Sequence, residues 1–191
     1  VCVDCSLSLV PLADTQFDFL CQTQNSFTTT VRAQLLDFYG VPVEGAIVEL
    51  LIWGSQAGPI IEAFEYVCFS DTNGNGTMDP GEVELTNTEN GTSLTQAECA
   101  ILSNDQPLLS ATWGPGPMVP EPPSTNVLTD PFGLKYWEVT FSNGECILTS
   151  SGENGDTYTC STPSIQANLV NPNGALSEEL NITLSSTCTA P

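Results

Sequence analysis

The sequence predicts an all-β protein, a β-sandwich in two lobes preceded by a strand that stands apart from both. Three observations carry this. Apolar residues recur at every second position in short runs. The runs are separated by turn-forming stretches such as Ser-Asn-Gly, Gly-Glu-Asn-Gly-Asp and Asn-Pro-Asn-Gly. No apolar run approaches the ~18 residues that a membrane helix needs, and the longest, Ala46 to Trp53, is interrupted by Glu49. At 191 residues and 40% hydrophobic content the chain can pack a core, as one large or two small domains.

Residues 1 to 10 alternate strictly. Val1, Val3, Cys5, Leu7 and Leu9 share one face, and Cys2, Asp4, Ser6, Ser8 and Val10 the other. This is a half-buried strand of about 33 Å at ~3.3 Å per residue. Pro11 and Asp14 break it, and Phe17, Phe19 and Cys21 resume the period of two. Phe27 to Leu36 is the next strand, followed by a turn over Asp37 to Ala46 and the apolar strand Ile47 to Trp53. Phe64 to Phe69 and Val83 to Leu85 are short aromatic and β-branched runs on either side of a polar stretch, Asp71 to Glu82. Val83 to Leu94 and Gln106 to Trp113 read as strands, with a helical turn in Leu94 to Leu102.

Gly114 to Pro123 holds five prolines and two glycines and reads as a stiff connector. Beyond it come Leu134 to Ser142, Glu145 to Ser150, Thr157 to Cys160, Ser164 to Val170 and Leu176 to Ser185. The expected organisation is therefore an N-terminal extension (1–22), a first domain (23–113), the connector (114–123) and a second, incomplete domain (124–191).

Charge narrows the partners. There are 23 acidic residues against Arg32 and Lys135, no histidine, and a net charge of −21. Such a chain cannot neutralise a phosphate backbone, so nucleic acid and anionic membranes are poor partners and cations are better ones. The plainer alternative is that the charge only keeps a surface protein soluble. The same inventory argues against an enzyme: no histidine-based triad, one lysine, and no Gly-rich phosphate loop. A carboxylate pair for glycoside hydrolysis is the one enzymatic alternative.

Eight cysteines, Cys2, Cys5, Cys21, Cys68, Cys99, Cys146, Cys160 and Cys188, favour up to four disulfides in an oxidising, extracellular setting. A zinc cluster is the weaker alternative, with no histidine to join it. In an extended strand Cys2 and Cys5 point to opposite faces with Cα atoms ~10 Å apart, beyond disulfide reach. Each then needs a partner elsewhere in the chain or in another copy. Cys146 and Cys160 sit on the arms of one hairpin, Cys68 and Cys99 are placed to clasp a second, and Cys21 with Cys188 is one of several pairings left open, since eight cysteines allow 105. The start at Val1 reads as the end left by signal-peptide removal. Asn-x-Thr sequons at Asn75, Asn90 and Asn181 fit an exported, cell-surface chain, with Asn90 and Asn181 as glycan acceptors.

Asp71 to Glu82, Asp-Thr-Asn-Gly-Asn-Gly-Thr-Met-Asp-Pro-Gly-Glu, puts oxygen-bearing side chains at positions one, three, five, nine and twelve. This resembles the EF-hand calcium loop. The resemblance implies Ca²⁺ held by Asp71, Asn73 and Asn75, by the Thr77 carbonyl, by Asp79 directly or through water, and by Glu82 with both oxygens, Gly76 making the turn. The flanking runs are too short and apolar for paired helices, so the loop sits on a β-hairpin. The alternative is an Asn/Gly turn that binds nothing.

A second resemblance runs from Thr28-x-x-Val31-x-Ala33 through Asp37-x-x-Gly40-x-Pro42-Val43-x-Gly45-Ala46 to an apolar strand and then Asp71 to Gly76. This is similar to bacterial immunoglobulin-like domains of the invasin and intimin type, and to the B-type repeats of Gram-positive surface proteins. It covers residues 27 to 95 and implies an immunoglobulin-like sandwich. Two features depart from it. The only lysine, Lys135, lies outside the match, so the lysine-to-asparagine cross-link of some B-type repeats has no counterpart, and there is no Leu-Pro-x-Thr-Gly sorting signal.

A leading amphipathic strand together with a lobe of about five strands that lacks one suggests donor-strand exchange, the general plan of donor-strand pilins. Val1, Val3, Cys5, Leu7 and Leu9 would be the donor face. The expected function is then a structural subunit of an extracellular filament, a head-to-tail polymer of identical subunits stiffened by calcium and disulfides. Equally open is that this strand pairs within its own chain. The alternative function is a monomeric adhesin or carbohydrate-binding module, with glycans as partners for Trp53, Trp113, Trp137 or Tyr136.

Overall fold

The computed structural model describes residues 4–23, 25–55, 60–105, 110–117, 119–120, 128–171 and 175–188. Its strands are β1 (Ser6–Pro11), β2 (Gln16–Asp18), β3 (Ser26–Leu36), β4 (Ile47–Trp53), β5 (Ile60–Phe64), β6 (Tyr66–Ser70), β7 (Ala111–Pro115), β8 (Val119–Pro120), β9 (Leu134–Ser142), β10 (Cys146–Gly152), β11 (Gly155–Cys160), β12 (Ser164–Asn171), β13 (Leu180–Asn181) and β14 (Thr183–Ser185). Among the described residues one α-helix, α1 (Gln96–Asp105), lies between β6 and β7. The chain folds as an all-β sandwich in two compact units, residues 1–63 with 120–191, and residues 64–119.

The first unit is the sandwich proper. One sheet runs β1–β3–β9–β5–β8, and the other β13–β12–β4. Period-two alternation sends Val31, Ala33 and Leu35 of β3 inward beside Trp137, Val139 and Phe141 of β9, with Val48 of β4 and Ile165, Ala167 and Leu169 of β12 in the same core. All are at most 2% exposed, and each large aliphatic or aromatic side chain so buried contributes roughly 1.5–3 kcal/mol. Lys135 also points inward. Its ammonium donates to the Val48 carbonyl at 2.7 Å and lies 5.0 Å from the Trp137 ring, so the only lysine of the chain braces one sheet against the other.

Three expectations are corrected here. The two predicted lobes are one: β3 pairs antiparallel with β9 from Ser26↔Ser142 to Gln34↔Leu134, and β4 pairs with β12. Neither half has strands enough to cover its own apolar face, so they complete each other. What stands apart is residues 64–119, inserted between β5 and β8. The expected connector is partly strand, because it contains the end of β7 and all of β8; its residues 121–123 lie outside the described residues.

The third correction concerns the leading strand. β1 is not free: it pairs antiparallel with β3, from Ser6↔Leu36 to Pro11↔Val31. Leu7 is buried in the core, with Cys5 and Leu9 packed against it. The alternation also fails at Asp4, whose φ of +55° ends the extended backbone. The premise that held Cys2 and Cys5 apart therefore lapses. Cys5 is disulfide-bonded, while Val1, Cys2 and Val3 lie outside the described residues.

Candidate metal centre

The second unit is small. Its buried core is Cys68, Leu94, Cys99 and Ala111, with Leu85, Leu102 and Trp113 packed alongside. β6 pairs with β7, from Tyr66↔Pro115 to Ser70↔Ala111. The Cys68–Cys99 disulfide ties β6 to α1. α1 begins with a reciprocal cap, in which the Thr95 N–H donates to Glu98 Oε2 at 2.8 Å and the Glu98 N–H to Thr95 Oγ1 at 3.3 Å. Thr95-x-x-Glu98 is the sequence signal that could have marked this helix start, which the expectation of a helical turn in Leu94 to Leu102 did not use. The expected strand over Val83 to Leu94 is reduced to the isolated bridges Phe69↔Glu84 and Thr86↔Ser93.

Asp71 to Glu82 leaves β6 and returns beside it, with the Ser70 N–H donating to the Val83 carbonyl at 3.0 Å and the Leu85 N–H to the Cys68 carbonyl at 2.7 Å. Two further bonds fix the loop: the Asp71 N–H to the Ser110 carbonyl (3.1 Å) and the Met78 N–H to the Pro115 carbonyl (3.2 Å). Gly76 has a φ of +78°, the left-handed value that glycine adopts without strain. A side chain at Gly114 of β7 would run into the Gly76 carbonyl.

Asp71 organises the loop. It is 7% exposed. Its Oδ1 accepts the Gly74 N–H at 2.7 Å and the Asn75 N–H at 3.2 Å, and its Oδ2 the Gly76 N–H at 2.8 Å. Asn73 Oδ1 takes the Asn75 N–H at 3.0 Å, and Asn75 Oδ1 the Thr77 N–H at 2.8 Å. Asp79 Oδ2 accepts the side-chain amides of Asn73 (2.6 Å) and Asn75 (2.7 Å). Glu82 spans the closure. Its Oε1 takes the Thr72 N–H (2.7 Å) and hydroxyl (3.0 Å), and its Oε2 the Asp79 N–H (3.0 Å). These N–H groups, that of Asp79 first, hold the Glu82 carboxyl below the usual carboxylate range.

The structure thus brings Asp71, Asn73, Asn75, Asp79 and Glu82 into one hydrogen-bonded loop. It does not gather three carboxylates around one point: among the described residues no group of three or more His, Cys, Asp or Glu side chains is disposed to hold a metal. The donor set is nonetheless all oxygen, the chemistry of a hard cation such as Ca²⁺. Residues 64–119 contain no lysine or arginine but eight acids, Glu65, Asp71, Asp79, Glu82, Glu84, Glu89, Glu98 and Asp105. Within this unit, amide and hydroxyl groups are what meets the loop's negative charge.

The remaining expected sites fall as follows. Cys146 pairs with Cys160 and Cys21 with Cys188. Asn90 and Asn181 are both exposed, Asn90 in a turn where its Oδ1 accepts the Thr92 N–H at 3.1 Å and hydroxyl at 2.7 Å. Of the aromatics proposed to stack on sugars, Trp137 and Tyr136 are buried and Trp113 packs on the core of the second unit, which removes them as a platform. Trp53, at the end of β4, is 45% exposed.

No family model, curated protein or solved structure matches the chain. The immunoglobulin-like and EF-hand-like resemblances therefore rest on the quoted motifs alone.

Proposed function

We propose that this chain is a non-enzymatic structural module of an extracellular surface, whose second unit is ordered by one calcium ion in the Asp71–Glu82 loop. The observation that carries the reading is the buried Asp71 carboxylate, held by three peptide N–H groups at the first position of a twelve-residue oxygen-rich loop that no cationic side chain of its unit neutralises. Asp71, Asn73, Asn75, the Thr77 carbonyl, Asp79 and Glu82 would hold the ion. Calcium would supply the positive charge that the unit lacks and draw Asp79 and Glu82 together.

The extracellular setting is supported by the disulfides. Between the two modes considered, a head-to-tail polymer and a self-contained surface module, the pairing of β1 within its own sheet favours the second. Calorimetric titration of metal-stripped protein with CaCl₂ tests the ion. One site at ~0.1 mM affinity is expected, lost in Asp71→Ala/Glu82→Ala. No heat beyond dilution, or undiminished binding by the double variant, contradicts it.

A further inference from the structure

One end of the first unit presents apolar groups to water on a backbone that is held rigid. In the β3–β4 turn Asp37 Oδ1 accepts the Tyr39 N–H at 2.8 Å and the Val41 N–H at 2.9 Å. The Asp37 N–H bonds the Val41 carbonyl at 2.8 Å, and the Gly40 N–H the Asp37 carbonyl at 3.0 Å. This turn holds Phe38 at 70% exposure and Tyr39 at 85%, their rings edge to face at 5.3 Å. Val41 beside them is 55% exposed. The folded chain gains nothing from two ordered, solvated aromatic rings.

The loop at residues 128–133 adjoins the base of this turn. Gly45 donates to the Thr129 carbonyl at 2.8 Å, and Thr129 Oγ1 donates to the Val43 carbonyl at 2.7 Å. Phe132 on it is 40% exposed. Asp130 on the same loop is 7% exposed; its Oδ1 accepts the Phe132 and Leu134 N–H groups at 2.8 and 3.0 Å, while its Oδ2 is buried without a hydrogen-bond partner. Burial pushes the Asp130 carboxyl up, and the nearby Glu44 carboxylate adds to this. Asp130 Oδ2 is too deeply buried for a docked side chain to touch, so what Asp130 offers a partner is negative charge beneath the surface, beside the exposed Glu44 carboxylate.

We propose that this end of the first unit, Phe38, Tyr39, Glu44 and Asp130, is a docking site for a basic, partly apolar segment of another protein. Lysine or arginine stems would lie on the rings, and their charged heads would meet the rings and the exposed Glu44 carboxylate, with the Asp130 charge beneath adding to the attraction. Charge selects the occupant. A second copy has almost nothing to offer, since Lys135 is buried on the Val48 carbonyl and Arg32 is half-buried between Val10 and Tyr136 of neighbouring strands, and two copies at −21 repel. The two rings, 84° apart, form no common platform on which a neutral saccharide could stack.

The test is fluorescence anisotropy with a labelled peptide of alternating lysine and leucine, the same peptide with glutamine for lysine, and oligolysine. The lysine–leucine peptide should bind best. Phe38→Ala/Tyr39→Ala should weaken it about tenfold, as should Glu44→Gln/Asp130→Asn. Circular dichroism checks that both variants fold; should Glu44→Gln/Asp130→Asn not fold, Glu44→Gln alone takes its place. Equal affinity in the aromatic variant would reduce the effect to diffuse attraction and overturn the site. So would no binding, equal binding of the glutamine peptide, or preferred binding of a neutral oligosaccharide or phosphatidylcholine vesicle. The site is independent of the calcium loop: chelator should leave peptide affinity unchanged, so either reading can fail alone.

Discussion

Glu82 and Asp130 are carboxylates that folding moves in opposite directions. Glu82 is held below its ordinary value by N–H donors, so its contribution is present above that value and lost as pH falls through the folded one. Asp130 is raised, chiefly by burial against the opposing pull of the Leu134 and Phe132 N–H groups. Its contribution is complete below the ordinary aspartate value of 3.8 and is lost as pH rises through the folded value. Asp130→Asn keeps an oxygen for the Phe132 and Leu134 N–H groups and removes the buried charge. It should melt higher than the parent at pH 7, with the difference closing toward pH 3. A lower melting temperature at pH 7 would mean that Asp130 already has its cation within the chain. None of this was legible in the sequence, where Asp130 is one acid among 23; only the fold singles it out.

Among the elements, β1 was legible as an amphipathic strand only over Ser6 to Val10, since alternation is a local property and Asp4 interrupts it. Its partner was not legible. Leu7 and Leu9 demand cover, but the same pattern serves a strand of the same chain or of another, and the choice depends on whether β3 has a vacant edge. It does not: β1 lies along β3 for six residue pairs. Leu7→Ala should therefore cost about 2–5 kcal/mol in equilibrium unfolding, the range for a large-to-small change in a core. Deleting residues 1–11 should leave β3 with an open edge and give poorly soluble protein. A deletion variant that stays monomeric and as stable as the parent would mean that β1 belongs elsewhere. α1 was half legible: Thr95 and Glu98 announce its start, but a helix of ten residues with no apolar stripe has little periodicity to read.

For the whole molecule, the division into units escaped the sequence because it follows pairings between distant residues. β3 with β9 and β4 with β12 join segments about a hundred residues apart, and the Pro-rich stretch that looked like a boundary runs through the end of the insertion instead. Of the disulfides, Cys146–Cys160 was legible because both residues lie on one hairpin, whereas Cys21–Cys188, 167 residues apart, depends on the same distant pairings. Stability is expected to divide along the same line. The sandwich rests on a large apolar core; residues 64–119 rest on a small one, Cys68, Leu94, Cys99 and Ala111 with Val67 and Phe69 also buried, a disulfide of ~2–4 kcal/mol and, on this account, an ion.

The most direct test of that account is thermal unfolding of the intact chain at pH 7, followed by hydrogen exchange at the amides of residues 68–85, in calcium and in excess chelator. A site of ~0.1 mM affinity in ~1 mM calcium contributes about 1.4 kcal/mol, which for a unit this small corresponds to roughly 5–10 °C. The account predicts that calcium slows exchange at the Gly74, Gly76 and Asp79 amides and raises the melting of the second unit by that amount, leaving β3 and β9 unchanged. Identical melting and exchange with and without calcium would contradict it.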